Sequence, residues 1–372
     1  MTPGAQKVSS ESGSRSSPVV SSDSSGGMYI AFTDTRNITV DFNGTINNYD
    51  VYAQHFDANG NKLWPANDLV INNTPVTNQF TYQDVGPPFI RNRRSSITMA
   101  DGNWNILYGN DIDTLGALDN VLLEAKKLSF NGSEMWNEPV KTTPNTSTKN
   151  FLSVEPDNNN GLVLSWRNTG TSADIYAQRI AANGSLPWGA NGIKITPESD
   201  MDFNMTSSHM AKTGDGEYVI AWRKDTIKTD LSDNAYFIKA QRFNDEGQLL
   251  WQPNGINVCN NENVSPIFPS IIRSLDSNAI ISWKDSRGIN TALLKRDGTL
   301  TDIANINYTA VASGNWNDPA IWSTGVVPPP GANLIISQTV TVNINIICNT
   351  ITVLPPAILT VNPGVSITVF NN

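Results

Sequence analysis

Apolar and polar positions alternate in a pattern that repeats along most of the chain. A short apolar run that ends in an aromatic residue occurs five times, at spacings of 76, 58, 56 and 61 residues. After four of these runs a glycine is followed four residues later by a tryptophan, and the fifth repeat keeps only the glycine. The pattern therefore indicates five related units. The aromatic residues that end the runs are Phe32, Tyr108, Trp166, Trp222 and Trp283.

Each unit predicts four short β-strands, and the aromatic-ended run is the second of them. In the fourth unit this run is YVIAW, from Tyr218 to Trp222, in which successive side chains point to opposite faces of the strand. Both faces are apolar, which indicates burial on both sides, as in the stacked sheets of a β-propeller. A row of β-sandwiches is the alternative, but a unit of about 60 residues is small for a sandwich.

Hairpin turns are predicted between the third and fourth strands of three units, where an Asn-Gly dipeptide follows the third strand. Asn-Gly is favoured in type I′ turns, which need φ > 0 at both central residues. We therefore expect a tight type I′ hairpin in each of these units. The dipeptides are Asn59-Gly60, Asn131-Gly132 and Asn183-Gly184.

The predicted fold class is all-β, with a five-bladed β-propeller over residues 3–303 whose last blade is closed by an N-terminal strand. The fifth unit lacks a recognisable fourth strand, whereas the N-terminal segment PGAQKVSSES is like NGIKITPES, which ends the third unit. Closure would remove the free edge that an open array of sheets exposes. The predicted blades are residues 16–75, 84–145, 148–200, 204–262 and 265–303, the last completed by residues 4–9.

A second module is predicted over residues 306–372, where the repeat has stopped. Short alternating strands are separated there by turn residues, such as NPG from Asn362 to Gly364. Strands this short cannot bury a core alone, so the module is predicted to be a short β-solenoid-like segment or a small sandwich. The pattern reaches the last residue without a capping segment, which predicts that the module is truncated and belongs to a longer protein.

Composition narrows the class of protein. Only 16% of the residues are charged, and Asn, Thr, Ser and Gly are abundant, which is typical of extracellular β-rich proteins. The net charge of −9 argues against a nucleic-acid partner. Two cysteines, Cys259 and Cys348, are too few for a disulfide framework. No run of 18 apolar residues occurs, so no transmembrane segment is predicted.

The repeats resemble those of large secreted proteins that bacteria export through the type IX secretion system. The resemblance rests on an aromatic–x–Asp–x–Arg pattern, on the DIYAQR-type strand after it, and on the glycine and tryptophan that follow. The segment SGNWNDPAIWSTGVVPPPGANLIIS also resembles a module common in the same proteins. The positions that match the first pattern are Phe32, Asp34 and Arg36 and, in the fifth unit, Trp283, Asp285 and Arg287.

This resemblance implies a secreted protein, extracellular or on the cell surface, that has the type IX export machinery as a partner during secretion. It also implies adhesion to a polysaccharide or another surface ligand, including a role in gliding motility. Related bacteria attach O-linked glycans at short Asp-Thr motifs. Two matches to such motifs make Thr114 and Thr226 candidate glycosylation sites.

Recurring carboxylates raise the hypothesis of a glycoside hydrolase, which needs one carboxyl group as acid and another as base or nucleophile. A catalytic group is expected once, however, whereas a group repeated in most units serves a repeated structural task. No catalytic residue is therefore predicted, and Asp34 with Arg36 and Asp285 with Arg287 are expected to form turn and inter-blade hydrogen-bonding pairs. The aspartates that follow the second strands are Asp34, Asp111, Asp113, Asp225 and Asp285.

The two histidines, His55 and His209, form no recognisable metal-binding or catalytic motif. His55 occupies the position of Arg179 and Arg242 in other units, so we expect it to face solvent or a neighbouring blade. No cofactor is predicted. Calcium is the ion that the oxygen-rich stretch from residue 41 to residue 50 would suit, although this stretch lacks the full EF-hand pattern.

The repeated tryptophans have two interpretations. As packing groups they cover the edges of the blades, and as binding groups they stack against sugar rings, with repetition giving avidity. The leading functional hypothesis is a non-enzymatic adhesin or surface-binding module. The alternatives are a lectin-like carbohydrate-binding propeller and a glycoside hydrolase with carboxylates in its channel. The tryptophans concerned are Trp64, Trp136, Trp188 and Trp251.

Overall fold

The computed structural model is almost entirely β-structure in the part of the chain that it describes, with two short 3₁₀ helices, Leu275–Ser277 and Pro319–Ile321. The chain divides into two compact units, residues 1–272 with 283–289 and residues 273–282 with 290–372. The described residues are 7–37, 39–40, 46–47, 49–73, 78–81, 84–86, 89–91, 96–111, 121–142, 149–168, 174–196, 208–226, 235–259, 266–286, 288–302, 307–328 and 332–369.

Five antiparallel sheets follow one another along the chain, as expected for a five-bladed β-propeller. The strands up to residue 72 are β1 (Arg15–Ser22), β2 (Met28–Asp34), β3 (Thr39–Val40), β4 (Ile46–Asn47), β5 (Asp50–Phe56) and β6 (Leu69–Asn72). The next are β7 (Asn78–Thr81), β8 (Asp84–Gly86), β9 (Phe89–Arg91), β10 (Ser96–Thr98), β11 (Trp104–Asp111), β12 (Val121–Leu128) and β13 (Val140–Lys141). Those of the last three sheets are β14 (Lys149–Pro156), β15 (Leu162–Asn168), β16 (Ile175–Ile180), β17 (Ile193–Lys194), β18 (Ser208–Gly214), β19 (Glu217–Thr226), β20 (Ala235–Asn244), β21 (Ile256–Cys259), β22 (Ile267–Arg273), β23 (Ala279–Asp285), β24 (Gly288–Leu294) and β25 (Leu300–Asp302).

Strand order within each sheet follows the chain. The first sheet has the order β1-β2-β5-β6, and β3 pairs with β4 within the predicted insertion. The second has the order β10-β11-β12-β13, with β7 also paired to β11, while β8 pairs with β9. The remaining sheets are β14 to β17, β18 to β21 and β22 to β25, each in sequence order. A path of four antiparallel strands in chain order, as expected for a propeller blade, is therefore found in all five sheets.

The fifth sheet differs from the prediction in one respect. Its fourth strand, β25, follows β24 directly, although the sequence showed no recognisable fourth strand there. Residues 7–9 lie outside any strand of the described chain, and residues 4–6 are not among the described residues. Closure of the last blade by residues 4–9 therefore stays a prediction, as do the blade boundaries.

Burial on both faces of the second strand is confirmed in the first four sheets. In β19, Tyr218 to Trp222 are all buried, and one face contributes to a core shared with the third sheet. In β11 the two faces contribute to different cores: Trp104 packs with residues of the first sheet and Leu107 with residues of the third. The cores of this unit therefore lie between successive sheets, where the alternating pattern places its apolar faces.

The hairpin turns correct the type I′ prediction. Gly60 has φ = 83°, but Asn59 does not have a positive φ. The Gly60 N–H donates to the Asp57 carbonyl at 3.0 Å, and the Asp57 N–H donates to the Asn61 carbonyl at 3.0 Å. This is a type I turn followed by a left-handed glycine, the three-residue hairpin loop. The prediction was wrong because Asn-Gly suits both turn types. The same loop recurs at Gly132, Gly184, Gly247 and Gly298.

The C-terminal strands form two parallel sheets, β26-β28-β30-β32 and β27-β29-β31. Each strand pairs with the strand two positions later, so the chain coils as in a β-solenoid, which was one of the two predicted alternatives. Trp316 and Trp322 are buried in its core with ring centroids 4.8 Å apart. The strands are β26 (Asn307–Ala310), β27 (Gly314–Asn315), β28 (Ala332–Ile336), β29 (Val340–Val342), β30 (Ile346–Val353), β31 (Leu359–Val361) and β32 (Ile367–Val369).

Two further observations bear on the predictions from composition. Cys259 and Cys348 are both buried and both free. In the described part of the chain, no helix has the length and apolar character needed to cross a membrane.

Candidate functional site

A buried histidine joins the first sheet to the second. His55, on β5, places Nε2 3.0 Å from Asp23 Oδ2 in the turn between β1 and β2. Its Nδ1 lies 3.2 Å from the carbonyl oxygen of Phe130, in the hairpin turn of the second sheet. A carbonyl oxygen accepts hydrogen bonds, and so does a carboxylate oxygen, so each ring nitrogen faces an acceptor. His55 therefore lies against the neighbouring sheet, one of the two predicted environments.

In the next two sheets, a lysine and an arginine occupy the position that His55 has in the first sheet, five residues before the glycine of the hairpin turn. Lys127, on β12, lies with Nζ 3.3 Å from Asp101 Oδ2 and 3.1 Å from the carbonyl oxygen of Asn160 in the third sheet. Arg179, on β16, pairs with Asp157 Oδ2 at 3.0 Å and donates to a carbonyl of the fourth sheet. In each case a cation on the third strand neutralises a carboxylate of its own sheet and hydrogen-bonds to the next sheet.

The carboxylate partners were not predicted, although a sequence signal for two of them exists. Asp23 and Asp157 each stand four residues before a glycine, and each accepts from the N–H of that glycine, at 2.8 and 2.6 Å. A Cβ on Gly27 would lie 2.1 Å from a backbone oxygen of the first sheet, and one on Gly161 would lie 2.4 Å from the Ile180 oxygen. The Asp-x-x-x-Gly spacing before the second strand is therefore a sequence signature of this contact between neighbouring sheets.

The repeated tryptophans also reach across to the next sheet. Each of three indole N–H groups donates to the carbonyl of the second residue of the following hairpin turn, at 2.8 to 3.0 Å. The Phe130 carbonyl also contacts the His55 ring, and the Asp245 carbonyl also accepts from Arg179. In both places, the indole and a third-strand side chain share one carbonyl oxygen. The pairs are Trp64 with Phe130, Trp136 with Ala182, and Trp188 with Asp245.

Exposure separates these tryptophans into two groups. Trp64 and Trp136 are 4% and 8% exposed, which leaves too little indole surface for a sugar ring to stack on. Trp188 and Trp251 are half-buried. Sugar stacking stays a prediction for this set, and only the second group keeps the exposed surface that stacking needs.

The predicted pair Asp34 and Arg36 lies in a buried polar cluster of the first sheet. Asp34 Oδ1 accepts from the Arg36 N–H at 2.7 Å, and its Oδ2 lies 2.8 Å from Arg36 Nη2 and 2.9 Å from Arg15 Nε. Arg36 also contacts Asp68 Oδ2 at 2.8 Å. The described partners of this pair lie in the first sheet and in the N-terminal segment. The contact within the turn is therefore found. The inter-blade role stays a prediction, because Arg36 Nη2 also bonds to Ser9 Oγ at 3.3 Å, in the N-terminal segment predicted to complete the fifth blade.

A second carboxyl group faces Asp34 across the sheet. Asp50 is its direct partner in the register of β2 and β5, and both side chains are 0% exposed. Asp50 Oδ2 accepts from Asn37 Nδ2 at 2.7 Å, while Oδ1 has no hydrogen-bond partner among the described residues. Burial and the charge of Asp34 raise the pKa of Asp50, against the opposing effect of the Asn37 hydrogen bond. Two facing carboxyl groups resemble the pair that a glycoside hydrolase uses, but neither has surface with which to contact a substrate.

The pKa of Asp23 is shifted in the opposite direction. Burial by itself raises the pKa of this carboxyl, but hydrogen bonds from His55, Ser25 and Gly27 outweigh burial and lower the pKa from 3.8 to about 2. Four hydrogen bonds from these three residues thus hold Asp23 in its ionised form at neutral pH.

We expect Asp23 and Asp50 to affect acid stability with opposite signs. The stabilisation from the Asp23 carboxylate is complete above about pH 4 and is lost as the pH falls towards 2, because its pKa is lowered by folding. The raised pKa of Asp50 means that its ionisation opposes folding, so this contribution falls as the pH rises above about 4. The measurement is the free energy of unfolding in urea for wild type, Asp23→Asn and Asp50→Asn between about pH 2 and 7. As the pH rises, the wild type should become more stable relative to Asp23→Asn and less stable relative to Asp50→Asn. The same pH dependence of the free energy of unfolding in all three proteins would contradict the two environments.

Of the other residues singled out in the sequence, Asp225, Asp285 and His209 have described side chains. Asp225 and Asp285 are buried, the first beside Arg223 and the second accepting from the Trp283 indole at 3.3 Å. His209 Nδ1 accepts from the Ile271 N–H at 3.0 Å. The Asp285–Arg287 pair stays a prediction because Arg287 is not described. Both glycosylation sites stay predictions because the side chains of Thr114 and Thr226 are not described. Arg287, Asp113 and Thr114 lie outside the described residues, and only the backbone is described for Asp111 and Thr226.

Metal binding has no geometric support in the described ranges. Within them, no three His, Cys, Asp or Glu side chains are grouped so as to hold a metal ion. Most of the oxygen-rich stretch from residue 41 to residue 50 lies outside the described residues, so the calcium hypothesis stays a prediction.

Comparisons with known proteins give low similarity. No family model and no curated protein matches the chain. An ulvan lyase of polysaccharide lyase family PL25 is similar in structure, with 10% identity, coverage of 80% of this chain and 74% of that chain, and a TM-score of 0.47. A puromycin hydrolase mutant gives 12% identity, coverage of 81% and 40%, and a TM-score of 0.44. A protein of unknown function from Dyadobacter fermentans gives 11%, coverage of 76% and 94%, and 0.32. The fold assignment rests on the sheet order described above, and these likenesses carry no conclusion about activity.

Proposed function

We propose that the chain is a non-catalytic binding module of an exported cell-surface protein, and that it adheres to a polysaccharide or another surface ligand. The observation that supports this proposal is the burial of the recurring charged groups. His55, Lys127 and Arg179 tie each sheet to the next, and Asp34 and Asp50 have no exposed surface. A hydrolase needs carboxyl groups that contact its substrate, whereas a binding module needs a rigid scaffold.

The route of export belongs to the same proposal. Secretion through the type IX system, with its machinery as a transient partner, and a role in gliding motility are supported by the resemblance of the repeats alone. Closure of the fifth blade by residues 4–9 would add rigidity to the scaffold by removing a free sheet edge.

A lectin-like propeller is the second candidate. It is favoured by the half-buried indoles of Trp188 and Trp251, which combine an apolar face with a polar edge. The Trp188 N–H is already bonded to the Asp245 carbonyl at 2.8 Å, so only the ring face would serve a sugar. The glycoside hydrolase hypothesis has no comparable support, because the described strand-end aspartates with placed side chains are buried.

Polysaccharide retention tests the proposal. The purified chain is co-sedimented with a panel of insoluble polysaccharides and run through gels that contain soluble ones, with serum albumin as the control protein. We expect saturable retention by at least one polysaccharide. Loss of retention in Trp188→Ala and Trp251→Ala, with folding intact, would select the lectin-like candidate. Retention no greater than that of albumin on every polysaccharide would contradict polysaccharide binding.

A further inference from the structure

A pocket of about 280 Å³ opens between the first strands of the first two sheets. These strands, β1 and β10, are at the edges of their sheets in the described chain, and they lie next to each other. Five hydroxyl side chains and two aliphatic side chains line the pocket. The hydroxyl groups belong to Ser21, Ser22, Ser24, Ser96 and Thr98.

The hydroxyl groups offer both donors and acceptors. Ser21 Oγ and Ser96 Oγ are 2.7 Å apart, so one donates to the other and the accepting hydroxyl keeps its own hydrogen for another partner. Ser22 Oγ accepts from the Ser24 N–H at 3.2 Å, which leaves its hydrogen able to donate. Thr98 Oγ1 donates to the Ser22 carbonyl and retains lone pairs. A ligand with several hydroxyl groups would find partners of both kinds.

The lining residues that the structure describes carry no formal charge. Among the described residues, no Asp, Glu, Lys or Arg side chain lines the pocket. The carboxylate of Asp23, which lies between two lining residues in the chain, is already bonded to Ser25, Gly27 and His55. The described lining therefore offers an anion no cationic partner and a cation no available carboxylate.

Two aliphatic side chains and the volume complete the match to a sugar ring. Val20 is 54% exposed at the pocket, and Ile97 is buried in its wall. The C–H face of a saturated ring can pack against such groups while its hydroxyls bond to the serines. Small-molecule sites usually have volumes of roughly 300–1,000 Å³, so this pocket suits a single ring rather than a longer chain.

We propose that this pocket binds one neutral sugar residue of the polysaccharide ligand. The inference rests on the proposed binding function and places the site at the first strands of the first two sheets rather than at the repeated tryptophans. It assigns the ligand class as neutral and polyhydroxylated. It gives the central hydrogen-bonding role to Ser21, Ser22 and Ser24, which have exposed surface, while the buried Ser96 holds the Ser21 hydroxyl in place.

Methyl glycosides of neutral hexoses and deoxyhexoses are the probes that test this site. Binding is measured by saturation-transfer NMR and titration for wild type and for Val20→Trp, which fills the pocket from its exposed rim. Ile272→Trp is the matched control, because Ile272 is 58% exposed on β22, the first strand of the fifth sheet. We expect about tenfold weaker binding or more for Val20→Trp, corresponding to about 1.4 kcal/mol, and unchanged binding for the control. The methyl glycoside of glucuronic acid should bind more weakly than that of glucose.

A second variant guards against a folding defect. Ser24 has φ = 66°, so Ser24→Gly removes a lining hydroxyl at a position where glycine is unstrained, and it should weaken binding without loss of stability. Saturable binding of no neutral glycoside by the wild type, or equal affinity in wild type, Val20→Trp and Ser24→Gly, would overturn the site. Polysaccharide retention by the wild type and by Val20→Trp alike would leave the proposed function standing while the site is rejected.

Discussion

Replacing His55 with leucine should destabilise the protein by about 3–5 kcal/mol, because it leaves the buried, ionised carboxylate of Asp23 without the imidazole ring that pairs with it. Asp23 is buried, and its pKa of about 2 keeps it ionised at neutral pH. The substitution also removes the stacking of His55 on Tyr29, with ring centroids 4.2 Å apart, and the hydrogen bond to the Phe130 carbonyl in the next sheet. The measurement is the free energy of unfolding at neutral pH, followed by tryptophan fluorescence in urea.

Two further variants separate the buried pair from general effects of substitution. Adding Asp23→Asn to the His55→Leu variant removes the unpaired charge and keeps an acceptor for the N–H groups of Ser25 and Gly27, so part of the lost stability should return. Lys126→Ala breaks a more exposed ion pair with Glu134 and should change stability by less than about 1 kcal/mol. If His55→Leu lowers the free energy of unfolding by no more than Lys126→Ala does, the contact of His55 with Asp23 and Phe130 does not stabilise the protein as proposed.

Truncating Trp136 to alanine should also remove about 3–5 kcal/mol of stability, the usual range for a large aromatic side chain lost from a core. Trp136 packs in the core between the second and third sheets, and its indole N–H donates to the Ala182 carbonyl at 3.0 Å. Trp136→Phe keeps most of the ring and loses this hydrogen bond, so it should remove considerably less, about 1 kcal/mol from the bond itself. Unfolding in urea measures both variants, and equal losses would show that packing of the ring is not the main contribution.

A pair of glycines provides a matched control for the same contact. Gly184 and Gly102 both have positive φ, 85° and 77°. A Cβ on Gly184 would lie 3.2 Å from Cδ1 of Trp136, whereas one on Gly102 would meet nothing within 4 Å. Alanine at either position introduces about 1–2 kcal/mol of left-handed backbone strain. Gly184→Ala should therefore be the more destabilising of the two, and the difference measures how tightly the turn packs on the indole.

The sequence predicted best what depends on neighbouring residues. The apolar alternation from Tyr218 to Trp222 led to a strand buried on both faces, because side-chain direction in a strand follows position alone. Turn type was less accessible: Asn59-Gly60 suits two hairpin geometries, and the hydrogen bonds from Asp57 decide between them. The short C-terminal strands left a solenoid and a sandwich open, because the parallel register involves partners such as Val340 and Leu359 that are far apart in the chain.

The candidate site was harder to predict for the same reason. His55 was correctly placed in the series with Arg179, but its carboxylate partner lies 32 residues earlier and its carbonyl partner 75 residues later. Asp34 and Arg36 are two residues apart, and their contact was found, while their inter-blade role stays a prediction that depends on the place of Ser9 in the fifth blade. The hydroxyl-lined pocket had no sequence signal, because its two walls come from strands 75 residues apart, as the bond between Ser21 and Ser96 shows.

We propose that the recurring charged residues hold the sheets together and perform no chemistry. The measurement that tests it most directly is product release during prolonged incubation of the purified chain with the polysaccharide panel, assayed as new reducing ends and as unsaturated sugar products. We expect the folded protein to release no more sugar product than the heat-unfolded protein does from any polysaccharide. Release by the folded wild type that disappears in Asp34→Asn and Asp50→Asn variants of unchanged stability would contradict it, and would identify the facing carboxyl groups of the first sheet as catalytic.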